Sequence, residues 1–471
     1  MHSLVGHQPR TSAFKLPWTS QHRRHNHRDH HQLPKKWVFE CAALSKQGQR
    51  LLSSAGVAAA EGDSVATSRL IKKFVGASPK HVALDALSHL LNPHSAHAHL
   101  SSLAFPLYMK ISETSWFDWN PKLVAELAAL LDKQGQHSES ATLISDTVSK
   151  LGAKERDLAL FYCNLVESQS KHNSIRGFDD SFADLMQLVS KSTSVYVKKQ
   201  GCKSMINGLC EMSRPREAEI LIEEMRGEGV KPSLFELRCV VYAYGRLGFF
   251  QEMKKCIDQM EKEGIKVDTV CSNMILASYG AHNALLEMVL WLRKMKNLGI
   301  PFSIRTCNSV LNSCPTIMST VQNSNDKYPI SIHELTEILS ENEGLLVKEI
   351  VESSILDEVV KWDESESKVD LHGLHLCSAY VVMLIWIEET RKRFGSGKYV
   401  IPSEIRLVCG SGKHSIIRGE SPVKSMVKEI MVRTKSPMRI DRKNTGCFIA
   451  KGKIVKEWLC ANNDSSYFTV S

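Results

Sequence analysis

IEEMRGEGVKPS (222–233), IDQMEKEGIKVD (257–268) and LRKMKNLGIPFS (292–303) are three versions of one sentence. Met225, Met260 and Met295 fall 35 residues apart, and so do Gly229, Gly264 and Gly299. Each stretch follows a second apolar-periodic run: CKSMINGLCE (202–211), RCVVYAYGRLG (238–248) and SNMILASYGA (272–281). The unit is therefore helix, short turn, helix, Gly-containing stop. A single pair of such helices cannot bury its apolar face, whereas stacked pairs can. The clear units span 199–233, 234–268 and 269–303, and a fourth opens at 304 with IRTCNSVLNSC and then loses the pattern. Upstream, 126–152 and 161–169 read as degenerate copies, and helical periodicity supports an α-solenoid from about 80 to 320.

The 471-residue composition is that of a folded chain, with 43% hydrophobic and 24% charged residues. No apolar run approaches the roughly 18 residues of a membrane span. The 13 cysteines include no C-x-x-C pair, which disfavours a zinc knuckle or a thioredoxin-like site. Charge is unevenly spread. Residues 1–39 carry seven Lys/Arg against one acid, and 366–460 carry eighteen against nine, so the body between them is net acidic. A compact basic segment points to a polyanion, most commonly nucleic acid. Residues 1–41 are rich in His, Ser, Thr and Arg and nearly free of acid, the composition of an organelle transit peptide. Cleavage is expected near Cys41. Chloroplast is the expected address and mitochondrion the alternative. Seven of the 19 histidines lie in residues 1–31, where a disposable leader is favoured over a metal tract.

The 35-residue hairpin ending G-[VI]-K-P-[SD] resembles the pentatricopeptide repeat (PPR) family. That resemblance implies one base read per repeat by two side chains, one early in the first helix and one at the repeat's last position. Carried over, the pairs are Lys203 with Ser233, Arg238 with Asp268, and Asn273 with Ser303, with Asn308 opening an incomplete fourth. Short polar side chains suit close contact with a base edge, whereas Lys203 and Arg238 are long cations that suit phosphate equally well.

After 316 the pattern breaks. Residues 321–366 are polar, then acidic and amphipathic, and are expected to give one or two helices capping the solenoid. Glu334, Glu337, Glu341 and Glu343 read as a solvated face rather than metal ligands. From Val369 strand and helix alternate: KVDLHG, a long helix, EIRLVCG, a loop SGKHS, a second helix capped by Ser421, then PMRIDRK and TGCFIAKG. The expected domain, 367–460, is β-α-β-α-β-β, followed by a tail at 461–471. With the leader at 1–41, a degenerate helical region at 42–160 and repeats at 161–320, this completes the expected organisation.

A right-handed crossover places the first two of these strands close and parallel, so their C-terminal loops share one sheet edge, where ligands bind. Asp370, His372 and Gly373 should thus meet Gly410, Gly412, Lys413 and His414. His372 suits acid–base work near neutrality. Asp370, two residues before, suits orienting that ring or helping to hold a divalent metal, with Mg²⁺ the candidate cofactor. Gly410 and Gly412 let backbone N–H groups approach a phosphate, and Lys413 and His414 add positive charge. A P-loop is excluded because Leu407 stands where its first Gly belongs and His414 follows Lys413. Cys409 is expected to pack within its strand.

VDLHG and CGSGKHS together resemble the L-D-x-H and T-G-x-G-K/H-S motifs of the small MutS-related (SMR) domain, over about 369–459. That resemblance implies nucleic-acid binding and, in some members, endonuclease activity, with Asp370 and His372 as the catalytic pair. Val369 stands for Leu, Cys409 for Thr, and Ser411 where plastid members often carry Trp. The expected partner is single-stranded RNA, with DNA as the alternative. The expected role is RNA cleavage directed by the solenoid, against a non-catalytic RNA-binding or stabilising role or a nucleoid DNA-binding one.

Overall fold

A computed structural model describes residues 44–95, 97–322, 329–353, 355–362, 366–397, 399–410 and 421–461. The leader at 1–41 lies outside them. The first helices are α1 (Lys46–Ala60), α2 (Ser64–Ala77), α3 (Lys80–Leu91) and, after a 3₁₀ segment, α4 (Ala104–Ser112). Ser45 and Asp63 start α1 and α2 by accepting from Gly48 N and Ala66 N. These helices close a core of their own with the start of the solenoid, through Leu52, Ile71, Leu87, Leu107, Ile111 and Leu127.

Six helical hairpins follow: α5 (Pro121–Lys133) with α6 (His137–Leu151), α7 (Glu155–His172) with α8 (Ile175–Lys191), and α9 (Val195–Glu211) with α10 (Pro215–Gly227). Then come α11 (Leu234–Arg246) with α12 (Phe250–Lys262), α13 (Thr269–Ala281) with α14 (Leu285–Asn297), and α15 (Ile304–Leu311) with α16 (Pro315–Gln322). The first helix of each hairpin stacks on the first helix of the next. Two details depart from the sequence reading. Helix α9 begins at Val195 rather than at 199, because Ser194 accepts from Val197 N and caps it there. The hairpin opened at 304 does close, through the eight-residue α16.

The three quoted stretches are helix stops. Val230, Ile265 and Ile300 donate their N–H groups to the carbonyls of Met225, Met260 and Met295, at 2.8, 2.9 and 2.9 Å. Gly229, Gly264 and Gly299 donate to Arg226, Glu261 and Lys296 and hold φ of +74°, +73° and +65°. This is the paired 6→1 and 5→2 pattern that ends a helix through a left-handed residue, a conformation Gly adopts at least cost. The residue three or four positions later then restarts the chain. Ser233, Asp268 and Ser303 are the N-caps of α11, α13 and α15. The stack is also close where Gly280 faces the turn between α15 and α16: a Cβ there would lie 2.0 Å from Ser313 Oγ.

The acidic connector is docked onto the body. It forms α17 (Ile332–Ile338), α18 (Glu341–Val351) and α19 (Ile355–Val359). Glu343 corrects the expectation of a solvated acidic face. It is 1% exposed and accepts from Ser340 N, Thr316 N (2.8 Å) and Thr316 Oγ1 (2.7 Å), tying α18 to α16. Those hydrogen bonds outweigh the burial that opposes ionisation and hold its carboxyl below the usual range. Glu349 likewise joins α18 to Arg293 (2.9 Å) and Lys296 of α14.

The connector also supplies a strand. Val360–Trp362 forms β1, antiparallel to β2 (Glu366–Asp370). The sheet has five strands rather than the four expected, in the order β1-β2-β3-β5-β4, with β3 (Glu404–Val408), β4 (Arg439–Ile440) and β5 (Cys447–Lys451). Strands β2 and β3 are parallel and the remaining pairs antiparallel. Helix α20 (Leu376–Gly395) crosses between β2 and β3, α21 (Pro422–Arg433) follows β3, and α22 (Gly452–Ala461) follows β5. Helix α20 is apolar on nearly every side because it packs against α15, α16 and α17 as well as α21 and α22. One core consequently runs from Cys163 in the solenoid to Leu459. Val369, Ile405, Leu407 and Phe448 join it from one face of the sheet. The alternating residues of β2 and β3 on the other face are only half-buried.

Candidate nucleic-acid interface

The first-helix positions Lys203, Arg238, Asn273 and Asn308 recur every 35 residues and so form one row along the stacked helices. The structure brings two of the three expected pairs into contact. Asn273 Nδ2 donates to Ser303 Oγ (3.2 Å), and its Oδ1 accepts from Thr306 Oγ1 (2.7 Å). Arg238 forms an ion pair with Asp268, with the arginine side chain 14% and the carboxylate 44% exposed. Lys203 instead lies over the Phe235 ring, 4.4 Å from its centre, a cation–π contact across to the next repeat.

Each last-position residue is also engaged locally. Ser233 accepts from Phe235 N and donates to Glu236. Asp268 Oδ1 accepts from Cys271 N at 2.9 Å, and Ser303 Oγ from Thr306 N at 3.2 Å. Capping alone accounts for short polar residues at these positions. Ser303 Oγ is fully engaged, accepting from Thr306 N and from Asn273 Nδ2, whereas the second oxygen of Asp268 faces Arg238.

Asn308 has a different place. It is 8% exposed, and its amide bridges the solenoid to the C-terminal domain. Nδ2 donates to Gly373 O (3.1 Å) and Oδ1 accepts from His375 N (2.9 Å). Instead of opening a fourth base-contact pair, Asn308 fastens the DLHG turn to α15. A few residues away, Ile304 N donates to Glu358 of α19 (3.2 Å).

The turn itself is built from Asp370. Its Oδ1 accepts from His372 N (3.1 Å), a local side-chain turn that sends His372 outward with 75% of its side chain exposed. His372 Nδ1 lies 3.6 Å from Asp370 Oδ1, and Lys368 Nζ lies 3.6 Å from Asp370 Oδ2. Asp370 pairs with Val408 in the parallel register, and Leu371 N donates to Val408 O (2.9 Å). Gly410, at φ +81°, therefore leaves β3 beside the DLHG turn. Gly412, Lys413 and His414 lie outside the described residues. Cys409 is buried, and burial pushes its thiol up to about 12, so it is no nucleophile at neutral pH.

A third loop that the sequence reading passed over reaches the same edge. Strand β5 starts opposite Val408, and Cys409 N donates to Gly446 O (2.8 Å). The turn leading into it carries exposed Arg442 and Lys443, shaped by Asp441 Oδ1 accepting from Lys443 N and Asn444 Oδ1 from Gly446 N. Its signal was the run DRKNTG between two strands. The described carboxylates at this edge are Asp370, already beside Lys368, and Asp441, which accepts from Lys443 N, and no group of three His, Cys, Asp or Glu that could hold a metal lies among the described residues. No described helix is long and apolar enough to cross a membrane.

The comparison with family models falls on the solenoid. The family model described as PPR repeat matches residues 202–230 and 238–265. Pentatricopeptide repeat-containing protein At2g17033 of Arabidopsis thaliana is 58% identical over 417 residues, 88% of this chain and 82% of that protein. A second Arabidopsis protein, pentatricopeptide repeat-containing protein At1g74750, is 36% identical over 58 residues, 12% of this chain and 7% of its own. Among solved structures, pentatricopeptide repeat protein PPR10 in complex with an 18-nt psaJ RNA element aligns at 12% identity and TM-score 0.24. That alignment covers 58% of this chain, which spans about half (51%) of the solved protein. PPR10 from maize aligns at 11% identity and TM-score 0.27, over 82% of this chain and 62% of its own. Identity of 58% across four-fifths of a full-length relative, on a chain that folds as stacked 35-residue hairpins, places this protein in the pentatricopeptide repeat family.

Proposed function

We propose that this protein binds single-stranded RNA along its hairpins and cuts it at the C-terminal sheet, acting in organellar transcript processing. One observation carries the reading. The row Lys203, Arg238, Asn273, Asn308 runs straight into the DLHG turn, because Asn308 is hydrogen-bonded on both sides of that turn's last residues. A strand following the row is thereby delivered to Asp370, His372 and the Gly410 loop. In this family each helical repeat takes one base. Three repeats specify only a short site, so the sheet contributes binding of its own.

In the proposed chemistry, Asp370 holds the turn that presents His372, which takes the proton of the attacking hydroxyl as its oxygen bonds to phosphorus; the P–O bond to the leaving ribose oxygen breaks, and that oxygen takes a proton from water. The Gly410–His414 loop and the Arg442–Lys443 turn stabilise charge on the phosphate. The SMR-like motifs support this assignment, and the leader at 1–41 supports a chloroplast address. A second reading, an RNA-binding factor without cleavage, is favoured by the 3.6 Å gap between His372 and Asp370 and by Lys368 on the same carboxylate.

The test uses residues 42–471, wild type and Asp370→Ala/His372→Ala, incubated with total chloroplast RNA with and without Mg²⁺. New 5′ ends are then mapped. Discrete ends made only by the wild type are expected. The same ends from the double variant remove the catalytic assignment. No new ends, with both proteins enriching one transcript, establish the binding factor.

A further inference from the structure

The pairing of the five strands has a consequence for charge. Lys361 of β1 lies opposite Lys368 of β2, Lys368 opposite Arg406 of β3, Arg406 opposite Ile449 of β5, and Ile449 opposite Arg439 of β4. One register row thus crosses the whole sheet carrying four cations and one apolar residue. It lies on the face away from the core, since Val369, Leu407 and Phe448, one step along, are the buried set. Four interstrand steps of about 4.8 Å make the row roughly 19 Å long.

Such a row is a cost to folding. Like charges directly opposed across strands destabilise a sheet. Part of it is relieved: Arg406 is held by Glu404 (2.7 Å) and Glu366 (3.3 Å), and Lys368 faces Asp370. Lys361 and Arg439 are exposed, and no ion pair to either is found among the described residues. Edge protection explains lysine or arginine on β1 and β4, the two outer strands. It does not explain Lys368 and Arg406 in the interior of the sheet.

Resting on the RNA-binding reading above, we propose that this open face is a track for the sugar-phosphate backbone of single-stranded RNA. Lys361, Lys368 and Arg439 contact phosphates, and Arg406, neutralised by its two glutamates, spaces them. The face carries no aromatic side chain in this row, so it offers no stacking platform and reads no sequence. Lys368 stands two residues before Asp370 on the same face, so a strand on the track passes the DLHG turn. The solenoid supplies selection, and the sheet supplies hold.

The experiment measures binding of full-length protein to poly(U) by fluorescence anisotropy across a salt series. The variant is Lys361→Gln/Lys368→Gln/Arg439→Gln. Arg69→Gln/Lys72→Gln/Lys73→Gln, on the exposed face of α2, makes the same charge change elsewhere. Three lost phosphate contacts at about 0.7 each lower the slope of log K against log salt by about 2, with affinity falling on the order of 100-fold at 50 mM salt. The α2 variant keeps the wild-type slope, and the sheet variant, relieved of opposed cations, unfolds at a midpoint no lower than that of wild type. Equal slopes for wild type and the sheet variant overturn the track and leave RNA binding by the solenoid standing. An equal loss in the α2 variant overturns it too, by making net charge the cause. Failure of the wild type to bind poly(U) at low salt overturns both readings together.

Discussion

Replacing Asn308 by alanine should loosen the solenoid from the sheet without unfolding either. The side chain is nearly buried and makes two bonds across the junction, to Gly373 O and from His375 N. Each such bond contributes about 1 kcal/mol net, and a buried group left without its partner costs about 1–3 kcal/mol. Gly373 and His375 are both exposed residues, so water recovers part of the loss. The expected cost is about 2 kcal/mol, placed at the junction. The assay is native-state hydrogen exchange read at single amides. His375 N–H, whose acceptor is removed, should exchange about 30-fold faster, the ratio equivalent to 2 kcal/mol. Amides in the core of α7 and α9 should not change. Asn308→Asp separates the two bonds, since a carboxylate still accepts from His375 N yet meets the Gly373 carbonyl with no proton to share. It should protect His375 and still destabilise the turn. Wild-type exchange at His375 in Asn308→Ala, together with an altered preference at one nucleotide, would refute the argument and make Asn308 a reader of bases.

Two further outcomes follow from groups in the solenoid. Burial lowers the pKa of His172 to about 4, so the folded protein keeps it neutral, whereas the unfolded chain protonates it near 6.5. Stability from this group is complete above pH 6.5 and is lost as pH falls through 4, on the order of 3 kcal/mol; urea titrations of His172→Gln should lack that part of the dependence. Asp268→Ala removes both the α13 cap and the partner of Arg238 and should cost about 1–2 kcal/mol by urea unfolding. Asp268→Asn keeps the cap and should cost no more than about 1 kcal/mol, because the carboxylate is 44% exposed.

The solenoid was legible because its punctuation is local. Met225, Gly229 and Val230 close a helix among themselves, and Ser233 starts the next, all within nine residues. Residues that depend on distant partners were not legible. Glu343 looks solvated until Thr316, 27 positions earlier, lies against it. Strand β1 has three residues and no periodicity, and exists by pairing with β2. The eight-residue α16 is too short to show a period. In the site, the closeness of Asp370 to Gly410 follows from a β-α-β crossover, a rule of chain geometry. The Asn308 clasp joins residues 65 apart by a side chain that, in sequence, looks like a fourth reading position. The cation row needs the register of all five strands before it appears at all.

The shared core and the Asn308 clasp also give the molecule a fixed phase. Asn273 is bonded to Ser303 at the start of α15, and Asn308 of the same helix is bonded to the DLHG turn. On the proposed reading, a nucleotide seated on that pair would stand at a set count from whatever lies over His372, and the protein would behave as a ruler. An extra hairpin spliced ahead of residue 195 would lengthen the recognised segment and leave the count alone. The same hairpin spliced between 303 and 304 would leave the clasp intact, since Asn308, Gly373 and His375 all follow that point, and would lengthen the count by one repeat.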